Sequence, residues 1–235
     1  LRPYQRAGLA WLQLLRELGA GGLLALDMGL GKTLMTLAFL ARWKEEEGTG
    51  APALVVCPTS LVGNWLREAA RFTPDLGVAA WTGTSRASEA LERHDLVVTT
   101  YGLLRREVDR LVRTRFRAVV LDEAQNVKNP AAETSRAARA LDAEMRIALT
   151  GTPVENRLGE LWSLMTFANP GMLGTLRDFE ERWARPIATR PDSELAAELR
   201  AVVRPFILRR TKAEVLLDLP PKTEVERPCV LGVRQ

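Results

Sequence analysis

The sequence predicts an α/β fold in which a mostly parallel β-sheet is flanked by helices. Short apolar runs recur along the first two thirds of the chain, and helical segments lie between them. A glycine-rich loop joins the first of these runs to a helix. Because parallel neighbours need a crossover connection, this alternation indicates a parallel sheet with helices packed on it.

The predicted strands are nearly continuous apolar runs. A strand that is covered on both faces needs that pattern, because neither face meets water. Five runs qualify and a sixth, rich in small side chains, is a further candidate: residues 23–26, 54–57, 96–99, 118–121, 147–150 and 77–81.

The segments between the runs are typical of amphipathic helices. Leu34, Leu37, Ala38 and Ala41 follow the i, i+3, i+4, i+7 spacing and predict one buried stripe. Residues 64–72 and 134–141 have the same character.

The pattern changes after the turn signal Asn169-Pro170-Gly171. The residues that follow are charged and helical in character, without a convincing strand before the end of the chain. Pro220 and Pro221 then impose an extended conformation. We therefore expect a sheet domain over residues 1–169, a helical protrusion over 170–218 and a linker over 219–235.

Composition excludes several classes of protein. The 235 residues are 46% hydrophobic and 26% charged, which is ordinary globular usage and excludes a long disordered protein. Cys57 and Cys229 are the two cysteines, which excludes a disulfide scaffold and a zinc module and suits a reducing cytoplasm. The longest apolar runs fall far short of the ~18 residues of a membrane helix, so no membrane partner is expected.

The ends of the chain indicate a piece of a longer polypeptide. The sequence begins at Leu1 instead of Met, shows no charged-then-apolar leader, and stops in mid-element at Gln235.

The charge is mildly basic, with 33 Lys and Arg against 29 Asp and Glu. A net charge of +4 is by itself a weak indication of a nucleic-acid partner. Arginines cluster within residues 105–117 and 200–212, and two solvated helix faces are the simpler interpretation of these clusters.

Residues 27–33, D-M-G-L-G-K-T, predict a phosphate-binding loop because they follow a buried strand and open a helix. The glycines let backbone N–H groups turn towards an anion, and the helix N-terminus adds positive charge. Lys32 would reach the β- and γ-phosphates, and the Thr33 hydroxyl would ligate Mg²⁺. Leu26 stands where the longer form of the motif has glycine, so the loop fits the shorter G-x-G-K-T form of helicase-like motors.

An acidic pair begins ninety residues after Lys32, at the predicted carboxyl end of another buried strand. Ligands of open α/β sheets bind at that edge. We assign Asp122 to the metal and Glu123 to the attacking water.

A third strand ends in hydroxyl-bearing residues followed by a sharp turn. Thr150, Gly151 and Thr152 could sense the γ-phosphate or bond to the acidic loop. An ordinary strand-to-helix turn is the alternative for this segment.

The ordered motifs together resemble the first RecA-like lobe of the Swi/Snf-type DNA-dependent ATPases, in helicase superfamily two and of bacterial type. The similarity covers nearly the whole chain. It lies in residues 1–5 (a Q motif ending in Gln5), 27–33 (the phosphate loop), 56–65 (motif Ia), 98–101 (motif Ib), 122–125 (a D-E-A-Q box), 149–162 (motif III and its helix), and 206–212 with 219–222 (the segment leading to a second lobe). Leu26 and Asp27 depart from the pair of acids that usually precedes the phosphate loop in the family.

The resemblance implies a RecA-like P-loop domain that binds ATP and Mg²⁺ and moves along duplex DNA to remodel protein–DNA complexes. The implied nucleotide-binding residues are Gln5, Asp27, Met28, Gly29, Leu30, Gly31, Lys32 and Thr33. Lys32, Asp122, Glu123 and Gln125 are the implied catalytic residues, with Thr33 and Asp122 at the metal. The implied contacts to the DNA backbone are Ser60, Asn64, Thr100 and Tyr101, with Lys128 and Asn129 as further candidates.

The family's arginine finger belongs to the second lobe, which we expect as a partner in the same polypeptide. Such a finger contributes roughly 10³–10⁵ to the rate of related phosphoryl transfers. We therefore expect this chain alone to bind ATP and to hydrolyse it poorly. Other expected partners are RNA polymerase or another DNA-bound protein, in a cytoplasmic, nucleoid-associated setting or in a nucleus.

Two alternatives stay open from the sequence. One is a true strand-separating helicase, and the other is a nucleotide-responsive scaffold on DNA or RNA polymerase. A GTPase is disfavoured, because residues 126–129, N-V-K-N, do not supply the N-K-x-D base-reading motif.

Overall fold

A computed structural model of the chain describes residues 1–83, 91, 93–151, 158–191 and 193–215. Thr152 of the predicted coupling segment and the whole linker predicted over 219–235 lie outside these residues.

A parallel sheet forms the centre of the molecule, as the apolar runs predict. In the described part of the chain the sheet has seven strands in the order β3-β4-β2-β5-β6-β1-β7, and all pairings are parallel. The strands are β1 (Gly22–Leu26), β2 (Ala53–Cys57), β3 (Val78–Ala80), β4 (Leu96–Thr100), β5 (Arg115–Leu121), β6 (Asp142–Thr150) and β7 (Ile207–Arg210). The sixth predicted run, residues 77–81, is confirmed as β3.

Both faces of the sheet are covered, which explains why its strands are apolar at every position. Along β1, Leu24 and Leu26 belong to one hydrophobic cluster, whereas Leu23 and Ala25 belong to a second. The pleat sends successive side chains to opposite faces, so each cluster is the core of one layer of helices.

Apart from α1, which precedes β1, the helices of the layers come between the strands in the chain. They are α1 (Pro3–Glu17), α2 (Lys32–Glu47), α3 (Thr59–Phe72), α4 (Tyr101–Arg106), α5 (Val108–Leu111), α6 (Glu133–Ala140) and α7 (Leu158–Ala168), with a 3₁₀ turn at Ala124–Val127. The helix predicted over residues 64–72 lies within α3, and the one predicted over 134–141 matches α6 except for its last residue, Leu141, which is extended.

The predicted buried stripe of α2 is wrong in most of its members. Leu37 is fully buried, but Leu34, Ala38 and Ala41 are only half-buried. The buried face of the helix instead includes Met35, Thr36, Phe39, Leu40 and Trp43. Because α2 contacts α1 and α3 and also packs in one hydrophobic cluster with the sheet, its buried surface is wider than one stripe and is centred elsewhere.

The residues after Gly171 form short helices that share a hydrophobic cluster with α7. These are α8 (Leu176–Phe179), a π-helical turn at Glu180–Ala184, α9 (Arg185–Thr189) and α10 (Glu194–Val203). Phe179, Trp183 and Leu199 pack in this cluster against Trp162 and Met165 of α7.

The expectation that residues 170–218 contain no strand is wrong at Ile207–Arg210. This segment is β7, which pairs with β1 at the edge of the sheet and is followed by α11 (Lys212–Val215). An edge strand of three half-buried residues and one exposed residue, two of the four being arginines, lacks the apolar run by which the inner strands are recognised.

None of the described helices is both long and apolar enough to cross a membrane.

Candidate functional site

The glycine-rich loop lies between the end of β1 and the start of α2. Gly29 and Gly31 both have left-handed backbones, with φ of 82° and 81°. Leu30, between them, is fully buried and anchors the loop in the core. Apart from Gly29 itself and its two chain neighbours, no described residue has an atom within 4 Å of a Cβ built on Gly29. The space beside Gly29 is therefore open, and left-handed glycines of this kind allow backbone N–H groups to turn towards a phosphate.

Gln5 lies directly against this loop. Its Nε2 donates to the main-chain oxygen of Leu30 at 3.3 Å, and its Oε1 accepts from the N–H of Arg2 at 2.9 Å. The Tyr4 hydroxyl donates to the same Leu30 oxygen at 3.2 Å. A Cβ on Gly31 would come within 2.5 Å of Gln5 Nε2. The predicted adenine reader thus contacts the phosphate loop, while its contact with a base stays a prediction.

Lys32, the first residue of α2, is 9% exposed, and its Nζ donates to the main-chain oxygen of Leu26 at 2.8 Å. Burial lowers the pKa of Lys32, and the charges of Glu123, Asp122 and Asp27 act in the opposite direction. The ammonium group therefore experiences the field of both members of the acidic pair.

The sheet order explains how the loop and the acidic pair come together. Strand β6 lies between β1 and β5, so the carboxyl ends of β1 and β5 are two strand spacings apart, or roughly 10 Å. Gly151 follows β6, and a Cβ there would lie 3.7 Å from Lys32 Nζ. The phosphate loop, the acidic pair and the residues at the end of β6, Thr150 and Gly151, share one edge of the sheet.

Asp122 is held firmly at this edge. It is 5% exposed; its Oδ2 accepts from Trp65 Nε1 and its Oδ1 from the N–H of Glu123, both at 2.9 Å. Burial raises the pKa of Asp122, and these two hydrogen bonds partly offset that rise. The Tyr101 hydroxyl donates to the main-chain oxygen of Asp122 at 2.8 Å.

Glu123 has an unusual backbone. Within the described ranges it is the one residue other than glycine with positive φ, at 51°. Such strain persists only where the surrounding structure enforces it, and it clusters at functional sites. Gln125 Nε2 donates to Glu123 Oε2 at 2.7 Å, and Thr150 Oγ1 donates to Gln125 Oε1 at 3.4 Å. Gln125 therefore bridges the acidic pair and the end of β6.

The residues predicted to hold Mg²⁺ offer the ligands that this ion prefers. Thr33 follows Lys32 at the start of α2, and Asp122 lies at the same edge of the sheet. A hydroxyl and a carboxylate are hard oxygen donors, and Mg²⁺ usually takes one or two protein ligands together with water and phosphate oxygens. The residues present thus fit the ion.

Asp27 has partners that the sequence did not reveal. Its Oδ1 pairs with Arg209 Nη1 and its Oδ2 accepts from the N–H of Lys212, both at 2.9 Å. Only the unrecognised strand β7 brings these residues beside the phosphate loop.

The predicted DNA contacts divide into exposed and buried residues. Ser60 is exposed, and Asn64 is half-buried with its Nδ2 bonded to Glu68 Oε1 at 2.9 Å. Thr100 is 8% exposed and caps α4 by accepting from the N–H of Leu103 at 3.3 Å. The Tyr101 ring is buried and its hydroxyl is bonded to Asp122, so this side chain supports the acidic pair instead of facing outward.

Lys128 and Asn129 are both exposed beyond the 3₁₀ turn. Lys128 Nζ lies 3.3 Å from Glu160 Oε1, and Asn129 Oδ1 accepts from the N–H of Ala131 at 3.0 Å. Their contact with DNA stays a prediction.

An open groove of about 590 Å³ lies where the N-terminal ends of α3 and α4 approach each other. It is lined by threonines, two arginines, a glycine, a leucine and one acid: Thr59, Thr82, Thr100, Gly102, Leu103, Arg105, Arg106 and Glu133. Hydroxyls and exposed guanidinium groups suit contacts to phosphate.

The first arginine cluster is not one solvated helix face. Arg105 and Arg106 are exposed on α4, but Arg117 lies on β5 and is 9% exposed. Its guanidinium lies 5.7 Å from the centre of the Trp43 ring and donates to the Gly48 oxygen at 3.0 Å. The cluster therefore divides between the groove and the core.

Comparison with known proteins gives concordant results. The profile of the SNF2-related domain matches residues 4–235. The putative ATP-dependent helicase/translocase YwqA of Bacillus subtilis is 44% identical over 242 residues, which cover 100% of this chain and 26% of that protein. The TATA-binding protein-associated factor mot1 of Schizosaccharomyces pombe is 40% identical over 255 residues, covering 97% of this chain and 13% of that protein.

Among solved structures, the Sulfolobus solfataricus SWI2/SNF2 ATPase core in complex with dsDNA matches with a TM-score of 0.87 and 44% identity. The match covers 94% of this chain and 47% of the archaeal chain. The chain thus spans about half of that solved core and about a quarter or less of the two curated relatives.

Proposed function

Since the chain belongs to the SNF2-related domain family and is the first RecA-like lobe of a Snf2-type ATPase, we propose that it is the ATP-binding lobe of a DNA-translocating, DNA-dependent ATPase that remodels protein–DNA complexes. The observation that carries this proposal is that buried Lys32 and the acidic pair lie at one edge of the sheet, where Gly151 follows β6 beside Lys32 Nζ and Gln125 links Thr150 to Glu123. Lys32, a cation that can neutralise phosphates, then lies near the acidic pair, which can hold a metal and a water. Phosphoryl transfer requires this combination.

In the proposed site, the backbone of residues 28–31 surrounds the phosphates of ATP. The Lys32 ammonium, bonded here to the Leu26 oxygen, neutralises charge on the β- and γ-phosphates. Thr33 and Asp122 would hold Mg²⁺, which supplies neutralisation of phosphate charge when bound.

Glu123 is proposed to orient the attacking water and to take its proton. The bond from Gln125 Nε2 fixes the direction of the Glu123 carboxylate, and Thr150 fixes Gln125 in turn. A positioned base of this kind contributes typically 10²-fold to 10⁴-fold, that is about 3–5 kcal/mol of the barrier.

The groove at Thr59, Thr100 and Arg105 is proposed to follow the phosphate backbone of duplex DNA. Contacts from hydroxyls and arginines position a protein on DNA without reading its sequence. The dsDNA in the complex of the archaeal relative supports this partner. Affinity should therefore fall with added salt and depend little on sequence.

Full turnover is proposed to need a second RecA-like lobe that supplies an arginine finger. The isolated chain would then bind ATP and hydrolyse it poorly. Partners such as RNA polymerase or another DNA-bound protein, and a nucleoid or nuclear setting, belong to the same proposal.

The test is the ATPase rate of the full-length protein with no nucleic acid, with single strands, with duplex DNA and with RNA. We expect the highest rate with duplex DNA and its loss in Lys32→Ala. Lys44→Ala, at the far end of the same helix, is the matched control and should keep the rate. Equal rates under all four conditions would overturn the proposal that the ATPase depends on DNA. In a separate strand-displacement assay, efficient displacement would favour a true helicase.

A further inference from the structure

Asp122 accepts hydrogen bonds from the side chains of two aromatic residues that lie on different helices. Trp65 of α3 donates to its carboxylate, and Tyr101 of α4 donates to its main-chain oxygen. Trp65 is fully buried and Tyr101 is 9% exposed. Water cannot readily replace either donor at such burial, so the arrangement of Asp122 depends on both helices.

The same two helices form the groove proposed for the DNA backbone. Thr59, which lines the groove, is the first residue of α3, and Trp65 lies less than two turns further along that helix. Thr100 and Gly102 also line the groove and flank Tyr101 directly in the chain.

The strands beneath these helices bring the two features together. Cys57 at the end of β2 pairs with Thr100 at the end of β4, and the N–H of Asp122 donates to the Val56 oxygen at 2.8 Å. The groove and the acidic pair are therefore neighbours along one edge, and each helix contacts both.

We propose that Trp65 and Tyr101 are positioning residues that couple occupation of the groove by a DNA backbone to the placement of Asp122. The inference rests on the proposed function, because it concerns how DNA would stimulate hydrolysis at the site. A phosphate bound between Thr59 and Thr100 fixes the N-terminal ends of α3 and α4, and the two donors carry that constraint to Asp122. Coupling between two sites is a free energy, and it is reciprocal for binding.

The experiment uses the full-length protein with Trp65→Phe and Tyr101→Phe, each of which removes one donor and keeps most of the ring packing. Trp43→Phe is the matched control. Trp43 is a buried tryptophan of the same hydrophobic cluster as Trp65, and its Nε1 finds no hydrogen-bond partner among the described residues.

The first readout is the ratio of kcat with saturating duplex DNA to kcat without DNA. We expect Trp65→Phe and Tyr101→Phe to lower this ratio by about fivefold or more, the lower end of typical coupling between sites. Trp43→Phe should change it less than about twofold. A ratio distinguishes positioning from a general loss of active protein, because the inactive fraction cancels.

The second readout is the affinity for duplex DNA with and without a non-hydrolysable ATP analogue and Mg²⁺. In the variants that lose stimulation we also expect the effect of the nucleotide on DNA affinity to shrink, and linkage requires the effect of DNA on nucleotide affinity to shrink by the same factor. If Trp65→Phe does not fold, Tyr101→Phe, which removes a single oxygen, decides the outcome.

The outcomes separate the two proposals. A wild-type protein without DNA stimulation would refute the proposed function. A stimulated wild-type protein whose folded Trp65→Phe and Tyr101→Phe variants keep the full ratio would overturn this inference alone.

Discussion

Asp27 and Arg209 stand 182 residues apart in the sequence and form an ion pair, with 2.9 Å between Asp27 Oδ1 and Arg209 Nη1. The N–H of Lys212 donates to the second oxygen of the same carboxylate. The Lys212 hydrogen bond, together with Arg209, holds the pKa of Asp27 below its usual range. The Asp27 carboxylate thus links the phosphate loop to β7 and to the residues that follow this strand.

The first prediction concerns ATP binding. In Arg209→Gln the Asp27 carboxylate loses its counter-charge beside the phosphate loop, so we expect about fivefold weaker binding of a non-hydrolysable ATP analogue, or about 1 kcal/mol. Adding Asp27→Asn should restore most of the affinity. Arg210→Gln, at the neighbouring exposed arginine, is the control. Calorimetry showing equal losses for Arg209→Gln and Arg210→Gln would contradict the assignment.

The second prediction concerns the pH dependence of stability. An acid whose pKa is depressed by folding contributes stability above its unfolded pKa, and this is lost as the pH falls through the folded pKa. The coupling between Asp27 and Arg209 should therefore be fully present at pH 7 and be lost progressively as the pH falls through the folded pKa of Asp27, which lies below 3.8. We expect at most about 1 kcal/mol, because both side chains are about one third exposed. A double-mutant cycle by urea unfolding at several pH values measures this coupling energy. A coupling energy that does not change with pH would contradict the prediction.

The inner sheet and the edge that carries the site could be predicted from the sequence because each has a local signature. A strand buried on both faces is apolar throughout, and a phosphate loop needs glycines before a helix. The roles of Trp65 and Arg209 had no such signature. A tryptophan on an amphipathic helix is expected to be a core residue, and the sequence does not show which acceptor its buried N–H will find. Arg209 reaches Asp27 only because β7 pairs with β1.

The predicted DNA contacts show the same limit. Motif positions placed Thr100 and Tyr101 beside the groove, but sequence position does not tell which way a side chain turns. The Tyr101 side chain points inward, where its hydroxyl donates a hydrogen bond to the main-chain oxygen of buried Asp122. A buried main-chain oxygen needs such a donor, which favours this orientation. Burial also raises the pKa of Tyr101 well above its usual value, which favours the protonated hydroxyl that donates this bond.

The third prediction separates backbone strain from contact at the phosphate loop. Gly29→Ala and Gly31→Ala both force a side chain into the left-handed region, at about 1–2 kcal/mol each. Only the Gly31 methyl would meet Gln5 Nε2, so Gly31→Ala should lose about 1 kcal/mol more from the free energy of unfolding. Urea unfolding measures the difference. It should disappear in a Gln5→Ala background, and a difference that persists there would show that Gln5 is not its cause.

The fourth prediction concerns the reactivity of Cys57. Its side chain is fully buried, and burial, with the nearby Asp122 charge, raises the pKa of the thiol to about 12. The thiolate fraction at pH 8 is then about 10⁻⁴, so a thiol reagent should label a folded Cys229→Ser variant very slowly. Urea should restore rapid labelling. Stoichiometric labelling within minutes under native conditions would contradict the described packing around Cys57.

The fifth prediction concerns the division of work between Lys32 and Glu123. Lys32→Ala removes a buried ammonium beside the loop, so binding of the ATP analogue should weaken strongly, because charge-assisted contacts to phosphate are lost. Glu123→Gln keeps the shape of the side chain and an oxygen that can accept from Gln125, so binding should stay nearly intact. Hydrolysis by the full-length protein should nevertheless stop in Glu123→Gln, because an amide cannot take a proton from water. Calorimetry on both variants, paired with DNA-stimulated ATPase rates, tests the assignment, and it fails if Glu123→Gln loses ATP as severely as Lys32→Ala.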